Sequence, residues 1–202
     1  MSRQRVVTVS EDELPGLANA LMARMIADGF APEALVGIAT GGALVVQSIP
    51  DDVAIKRFTC TMRRPGTATK QKLGVTRLLK RLPYGITNLL RILEDRAREL
   101  STSAEVPDPS PSLLRSIEAI ADEVAHLGIC RIAVIDDAVD SGATLACVMG
   151  ALRDRLPPEV EMRSGVIAQT WWFRRTICQP DFAIYEKTNC RFFWSYDYRS
   201  QS

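Results

Sequence analysis

The 202-residue sequence lacks the features that mark membrane, secreted and strongly charged proteins. No apolar run approaches the roughly 18 residues that a membrane-crossing helix needs, and no signal-type apolar segment follows the basic start at residues 1–5. The net charge is only +1, which gives no reason to expect nucleic acid or an anionic membrane as a partner. We therefore expect a cytoplasmic protein with neither a membrane nor nucleic acid as its partner.

The cysteines and the histidine follow no functional pattern. The five cysteines are an odd number, with no C-x-x-C pair and no spacing typical of a metal site. We interpret them as reduced, mostly packing residues of an intracellular protein. The single histidine, His126, lies near the end of a predicted helix, where a capping or surface role is favoured over catalysis.

What the sequence does contain is a regular alternation of strand and helix patterns. Apolar runs at 34–39, 129–136 and 164–170 read as strands, and the first two lead through turns of small residues into helical patterns. With 47% hydrophobic and 24% charged residues, the chain fits one globular domain, which we take to span 1–202. The alternation predicts an α/β fold with a mostly parallel, doubly wound sheet covered by helices.

Two segments stand apart from this alternation. Residues 85–128 combine a helical pattern, a proline-rich stretch at 106–112 and a second helix ending near Gly128, and we interpret them as a helical insertion. Its roles could include a lid, a dimer surface or a partner site. Residues 171–202 contain two short strand patterns, at 182–185 and 191–194, which we interpret as a small C-terminal hood.

The chemistry of the chain is concentrated at residues 134–144, where an apolar strand runs into Asp136-Asp137 and then into Ser141-Gly142-Ala143-Thr144. Ligands of open parallel sheets bind beyond the carboxyl ends of the strands. A turn of small residues before a helix exposes backbone N–H groups that suit phosphate. Adjacent carboxylates can accept hydrogen bonds from a sugar diol or hold a hydrated metal ion. The pattern indicates a phosphorylated sugar; the alternative is a polar cap on a strand with an ordinary helix behind it.

This stretch resembles the phosphoribosyl-pyrophosphate signature of the type I phosphoribosyltransferases: an apolar strand, two acidic residues, two small or apolar positions, then Asp-Ser-Gly-x-Thr. The resemblance implies that the two aspartates contact the ribose hydroxyls, or hold Mg²⁺ through water, while the loop wraps the 5-phosphate. The positions that it assigns to substrate are Asp136, Asp137, Ala138, Val139, Ser141, Gly142, Ala143 and Thr144. It places Asp140 near the anomeric carbon as a catalytic residue.

The same resemblance assigns a second loop and a mobile loop. Thr40, Gly41 and Gly42 occupy the diphosphate-binding turn, where the glycines would let the backbone approach a phosphate oxygen. Purine-type members often carry Arg or Lys where this chain has Thr40, so either another cation replaces it or diphosphate binding is weaker. Residues 61–73 occupy the mobile loop, which contains no acidic residue. Its candidates to stabilise the departing diphosphate are Arg63, Arg64, Lys70 and Lys72; the alternative is a solvated basic face or a macromolecule-binding surface.

The acceptor site is less well specified. In the purine and xanthine-guanine enzymes that the C-terminal part resembles, an aromatic residue stacks on the base, and Phe192 fits that place with Trp194 as its neighbour. Aromatic residues at alternating positions can equally be core. Those enzymes usually carry a lysine that recognises a 6-oxopurine, and this chain has Gln169 or Thr170 there.

The resemblance implies transfer of ribose 5-phosphate from Mg²⁺-bound phosphoribosyl pyrophosphate to a nucleobase, taken to be purine-like, with release of diphosphate. We also expect a homo-oligomer, with a homodimer as the expected form. The alternative function is a non-catalytic regulator that binds phosphoribosyl pyrophosphate or a nucleotide and acts on nucleic acid or a partner protein. A phosphate-binding enzyme without ribosyl chemistry would leave the paired aspartates unexplained.

Overall fold

A five-stranded sheet, in which all strands run parallel, forms the centre of the fold. The computed structural model describes residues 5–50, 55–62, 85–89, 91–93, 105–170 and 176–199. The strands are β2 (Ala34–Ala39), β3 (Lys56–Thr61), β4 (Arg131–Val139), β5 (Glu161–Gln169) and β6 (Phe182–Tyr185), in the order β3-β2-β4-β5-β6. The predicted α/β fold with a mostly parallel sheet is confirmed.

Helices cover both faces of this sheet. They are α1 (Leu14–Ala27), α2 (Gly41–Gln47), α3 (Pro111–Leu127) and α4 (Ala143–Arg153), and residues 85–89 and 91–93 are also helical. Alternate residues of each strand enter separate cores, because successive side chains point to opposite faces. Val134 packs with α3 and α4, whereas its neighbour Ile135 packs with α1 and α2. The sheet is therefore doubly wound, as the sequence predicts.

Helix α3 illustrates how local sequence sets the boundaries of an element. The Ser110 hydroxyl accepts the Leu113 N–H at 3.2 Å, Pro111 occupies the first turn, and Gly128 ends the helix in the left-handed conformation. Its buried residues recur at helical spacing and face the sheet: they are Leu113, Ile117, Ile120, Ala121 and Val124. This helix belongs to the predicted insertion at 85–128 and forms part of the covering layer. The bounds of the insertion stay a prediction.

A second, two-stranded sheet lies on the α1 and α2 side. It pairs β1 (Arg5–Val9) in parallel with β7 (Thr188–Phe192). The sequence pattern did not reveal β1. It placed the last strand at 191–194, whereas β7 ends at Phe192 and Trp194 lies in the following turn. The reason is that the Ser195 N–H donates to the Phe192 carbonyl at 2.8 Å and closes the turn.

Two other predicted boundaries need correction. The strand expected to end at Asp136 continues to Val139, because Ala138 and Val139 still pair with β5. The sequence pattern of Ser10 followed by Glu13 three residues later is that of a capping box and predicts Ser10 as the cap of the first helix. That helix begins at Leu14 with Glu13 as its N-cap, so Ser10 does not cap it. Ser10 instead donates its N–H to the Glu13 carboxylate at 2.8 Å. Within the described ranges, no helix combines the length and apolar character that crossing a membrane requires.

Candidate active site

The two loops singled out by the sequence begin at the carboxyl ends of neighbouring strands, β2 and β4. From β2 the chain passes through α2 to β3 on one side, whereas from β4 it passes through α4 to β5 on the other. The connections diverge at this point, and such a divergence leaves a crevice in which open α/β sheets bind their ligands. The fold therefore places the 40–42 turn and the 140–144 turn at the edges of one crevice.

Asp136 and Asp137 lie in β4 and point to opposite faces of the sheet. Asp136 is buried, with 3% of its surface exposed, on the side where Cys60 and α3 pack, and its Oδ1 accepts the Asp137 N–H at 2.9 Å. Asp137 is half-buried and faces α2 and the C-terminal turn. Of the two adjacent carboxylates, Asp137 is therefore the accessible one.

Glycines in the 40–42 turn let the backbone pack directly on β4. A Cβ on Gly41 would overlap the carboxylate of Asp137, and one on Gly42 would overlap the carbonyl of Ile135. Gly42 therefore requires glycine because the clash is with backbone, whereas a side chain at position 41 would displace the Asp137 carboxylate. The peptide bond between Ala39 and Thr40 is cis, and Thr40 itself is exposed. The structure thus brings Gly41 against the Asp137 carboxylate and Gly42 against the backbone of Ile135 and Asp136, whereas Thr40 faces solvent.

The 140–144 turn is held in place from two directions. The Ser141 hydroxyl accepts the Ala143 N–H at 3.3 Å, and the Ser141 carbonyl accepts the Ile177 N–H at 2.8 Å. Gly142 has a φ of +78° and lies against the backbone of Cys178, so both its conformation and its surroundings exclude a side chain. Helix α4 then begins at Ala143, whose N–H is bound by Ser141, and its N-cap Gly142 has no side chain to bind the following N–H groups, which suit an anion. Ala143 and Thr144 are half-buried there.

Asp140 sits at the start of this turn and is tied to the end of β5. Its Oδ1 accepts a short hydrogen bond from the Thr170 hydroxyl, and the Thr170 N–H donates to the Val139 carbonyl at 3.0 Å. Thr170 is buried, whereas Asp140 is half-buried. Val139 is also buried, so only its backbone can meet a ligand, and Ala138 is half-buried in the strand.

The predicted acceptor aromatics are in contact with this site. Phe192 is buried and stacks on Trp194 with ring centroids 4.6 Å apart and planes 3° from parallel, and the edge of Phe193 meets Trp194. The Trp194 indole N–H donates to Oδ2 of Asp137 at 3.2 Å. Trp194 therefore covers one face of Phe192, and the half-buried ring at the crevice is that of Trp194.

The sequence matches no family model, and no curated protein is significantly similar to it. Solved structures share the fold. The xanthine-guanine-hypoxanthine phosphoribosyltransferase of Helicobacter pylori superimposes with a TM-score of 0.55 at 14% identity, over 95% of this chain and 93% of that chain. A purine phosphoribosyltransferase from Pyrococcus horikoshii gives 0.53 at 14% identity, over 98% and 99%. A hypothetical protein from Neisseria gonorrhoeae with bound ppGpp gives 0.50 at 10% identity, over 96% and 91%.

The chain has the type I phosphoribosyltransferase fold. The resemblance inferred from residues 134–144 is thereby confirmed for the fold, although identity is low. In this phosphoribosyltransferase fold the signature turn and the glycine turn lie on the same crevice, as described above. The predicted mobile-loop cations Arg63, Arg64, Lys70 and Lys72 lie outside the described residues, so their roles stay predictions.

A buried charged cluster beside the crevice was not predicted. Arg191 and Asp197 are each 1% exposed and form an ion pair at 2.9 Å, and Arg91 binds the same carboxylate. Burial raises the pKa of Asp197, but the hydrogen bonds and charges of Arg91 and Arg191 outweigh it and hold that pKa below its ordinary value. The sequence signal available was Arg191 and Asp197 on either side of the aromatic residues, a pattern that predicts no specific partner.

Two buried cysteines border the acidic pair. Burial, aided by the charge of Asp136, raises the pKa of the Cys60 thiol to about 12. Burial and the charge of Asp137 raise the pKa of Cys190 to about 12, while Arg91 acts in the opposite direction. Both thiols are therefore protonated at neutral pH and act as packing residues, which fits the interpretation of the cysteines given above.

No cluster of three or more His, Cys, Asp or Glu side chains able to hold a metal occurs among the described residues. The carboxylate oxygens of Asp137 are ligands of the kind that Mg²⁺ prefers, directly or through water. Asp136 is less suited to that role because it is buried and already accepts the Asp137 N–H. The described residues therefore fit a magnesium ion that arrives with an anionic substrate better than a resident one.

Proposed function

We propose that this protein is a phosphoribosyltransferase that moves ribose 5-phosphate from phosphoribosyl pyrophosphate to a purine-like nucleobase and releases diphosphate. The observation that carries the proposal is that Asp137, against the Gly41 backbone, and the 140–144 turn lie at the same end of the sheet, where its connections diverge. A phosphate site and a sugar-binding carboxylate then lie on the same crevice. This arrangement fits one ligand that carries both groups.

The residues of β4 and of the 140–144 turn that are predicted to bind the donor have the following proposed roles. The open N-terminus of α4 and the hydroxyls of Ser141 and Thr144 bind the 5-phosphate, because N–H groups and hydroxyls donate to phosphate oxygens. Asp137 accepts hydrogen bonds from the ribose hydroxyls. Asp136 is proposed to support Asp137 indirectly, because its carboxylate accepts the Asp137 N–H and fixes the backbone there. The backbones of Ala138 and Val139 line the entrance to the loop.

The proposed reaction breaks the bond between the anomeric carbon and the diphosphate oxygen and forms a bond to an acceptor nitrogen, which loses its proton. Charge builds on the sugar ring as diphosphate leaves, so positioning and electrostatic stabilisation dominate. Asp140 can stabilise the positive ring, and its hydrogen bond with Thr170 fixes its orientation. Mg²⁺ bound to the substrate would neutralise part of the diphosphate charge.

The acceptor is proposed to meet Trp194, because Phe192 is already covered by that ring. Gln169 and Thr170 occupy the place where the purine enzymes carry a lysine, and neither has an ammonium group with which to recognise a 6-oxopurine. The proposed acceptor is therefore a purine-like base. The sequence-based expectation that the protein forms a homo-oligomer also remains a proposal. So does its expected cytoplasmic location.

A second candidate function is a nucleotide-binding regulator without transferase activity. One observation favours it: a protein from Neisseria gonorrhoeae with the same fold has ppGpp bound. The phosphate-binding features described above would also suit a polyphosphorylated nucleotide. Such a regulator would bind its ligand without consuming it.

The test is calorimetric titration of the protein with phosphoribosyl pyrophosphate and Mg²⁺, followed by measurement of diphosphate release with a panel of nucleobases. The informative variant is Asp137→Asn, which removes the accessible carboxylate. Its matched control is Asp122→Asn, an exposed aspartate on α3 that is far from the crevice in the fold. We expect donor binding and base-dependent release by the native protein and by the control, and much weaker donor binding without measurable release by Asp137→Asn.

The other outcomes separate the candidates. Donor binding without release for any base, together with tight binding of ppGpp, would favour the regulator. Absence of donor binding by the native protein would reject the transferase, and unchanged donor affinity in Asp137→Asn would reject the site assignment.

A further inference from the structure

A buried carboxylate joins the helical residues 85–89 and 91–93 to the C-terminal turn at 193–198. Arg91 donates its Nε to Oδ2 of Asp197 at 2.8 Å and makes a second, shorter bond to Oδ1. Another of its nitrogens donates to the Cys190 carbonyl at 3.1 Å. The Arg91 side chain is 13% exposed and that of Asp197 is 1% exposed, so this is a desolvated, two-pronged contact.

Arg191 fixes the same carboxylate from the β7 side. Its Nε donates to Oδ2 of Asp197 at 2.9 Å, and its Nη2 donates to the Asn88 side chain at 2.8 Å and the Thr87 hydroxyl at 3.1 Å. Thr87 and Asn88 lie in the helical residues 85–89, close to Arg91 in the sequence. Two arginines thus bind the Asp197 carboxylate. Arg91 binds it directly, and Thr87 and Asn88 bind Arg191 on its other side.

The turn held by Asp197 carries Trp194. It begins with reciprocal hydrogen bonds between Phe192 and Ser195: the Phe192 N–H donates to the Ser195 hydroxyl at 3.1 Å, and the Ser195 N–H donates to the Phe192 carbonyl at 2.8 Å. Asp197 follows two residues later. From this turn Trp194 reaches Asp137, with 3.2 Å between the indole nitrogen and Oδ2.

We propose that Arg91 is a positioning residue for Asp137, acting through Asp197 and Trp194. The carboxylate of Asp137 lies between the Gly41 backbone and the Trp194 indole, which together limit the directions in which it can point. One hydrogen bond does not saturate a carboxylate, which can accept about four, so an oriented Asp137 can still bind two hydroxyls. The segment at 85–93, within the predicted insertion, thereby controls the geometry of the candidate donor site.

The effect of Arg91 can be separated from folding. In Arg91→Met, Asp197 keeps its buried partner Arg191, so no uncompensated charge is created in the core. Arg91→Lys retains the charge but loses the planar, two-pronged contact. Arg115→Met is the matched control, because Arg115 lies on α3 in the same predicted insertion and is exposed.

The structural arm of the test measures the indole N–H signal of Trp194 by ¹H–¹⁵N NMR, assigned by its loss in Trp194→Phe. We expect Asp137→Asn to shift this signal, Arg91→Met to shift it in the same direction, and Arg91→Lys to give a smaller shift. Arg115→Met should leave it in place. A Trp194 signal that is unchanged in both folded Arg91 variants would overturn the proposal.

The binding arm rests on the proposed function and measures donor affinity in a double-mutant cycle. Small misplacements of a site residue cost up to about 100-fold, so we expect Arg91→Met to weaken donor binding by roughly 10- to 100-fold. If Arg91 acts through Asp137, it should cause no further loss in the Asp137→Asn background. Additive losses would overturn the proposal. If the native protein binds no donor, the proposed function fails, and the NMR arm still decides the role of Arg91.

Discussion

Trp194 donates its indole N–H to Oδ2 of Asp137 at 3.2 Å, although 57 residues separate the two. Asp137 lies near the carboxyl end of β4 in the main sheet, whereas Trp194 lies in a turn after the small second sheet. The contact therefore joins the proposed sugar-binding carboxylate to the proposed acceptor wall. Because Trp194 also stacks on Phe192, movement of the wall and reorientation of the carboxylate are expected to occur together.

Gly41→Ala should damage the site without disturbing the fold elsewhere. The new methyl group would overlap the Asp137 carboxylate, which must then move away from its present position. We expect donor affinity, measured by calorimetry, to fall by about tenfold or more. The matched control is Gly150→Ala on the exposed side of α4, where a Cβ meets nothing within 4 Å. That change should raise the free energy of unfolding by about 0.5–1 kcal/mol. Equal donor affinity in both variants would contradict the described packing.

Asp197→Asn should be strongly destabilising. It removes the charge that compensates two arginines, one of them fully buried, and an unpaired buried charge costs about 3–5 kcal/mol. Chemical denaturation would measure this loss in the free energy of unfolding. Glu123→Gln serves as the comparison, because it breaks the exposed Lys56–Glu123 pair, and exposed pairs contribute little. A loss no larger than that of Glu123→Gln would contradict the assignment of the buried cluster.

The layout of the sheet could be predicted because its signals are local. Apolar runs, glycine turns and helical spacing occur in the right order, and β2 and β6 were placed at their observed bounds. The helix signals of α3 are equally local, from the Ser110 cap to the Gly128 stop. The Asp-Ser-Gly-x-Thr turn is also a continuous stretch, so its resemblance to phosphoribosyltransferases was visible without knowledge of the fold.

The contacts that join distant segments could not be predicted in this way. β1 is short, and its partner β7 lies more than 180 positions further along the chain, so no local pattern identifies the pair. The arginine cluster depends on residues from the 85–93 segment, β7 and the last turn. The Asp136 and Asp137 side chains point to opposite faces of the sheet, and this could be inferred only with the knowledge that β4 continues past both residues to Val139. Because Asp136 is buried and Asp137 is accessible, a substitution of Asp137 alone tests the site with less risk to folding.

The stability of the protein should fall in acid partly through Asp197. Its pKa is lower in the folded chain than the ordinary value of about 3.9, so above that value the folded state benefits from the charged form. As pH falls below about 4, the unfolded chain takes up a proton first and the benefit is progressively lost. Unfolding free energies between about pH 6 and pH 3 should therefore drop more steeply for the native protein than for Asp197→Asn. Parallel curves for the two proteins would show that Asp197 does not titrate in this way.

Thiol reactivity should follow burial, because only the thiolate reacts with alkylating reagents. Cys130 is exposed, Cys178 is half-buried, and Cys60, Cys147 and Cys190 are buried. For Cys60 and Cys190, a pKa of about 12 adds a second barrier, since almost no thiolate exists at neutral pH. Alkylation of the native protein followed by peptide mass spectrometry should therefore label Cys130 first and Cys178 more slowly. Cys60 and Cys190 should be labelled only after denaturant is added, and rapid native labelling of Cys190 would mean that β7 opens readily and that its contact with Arg91 is weak.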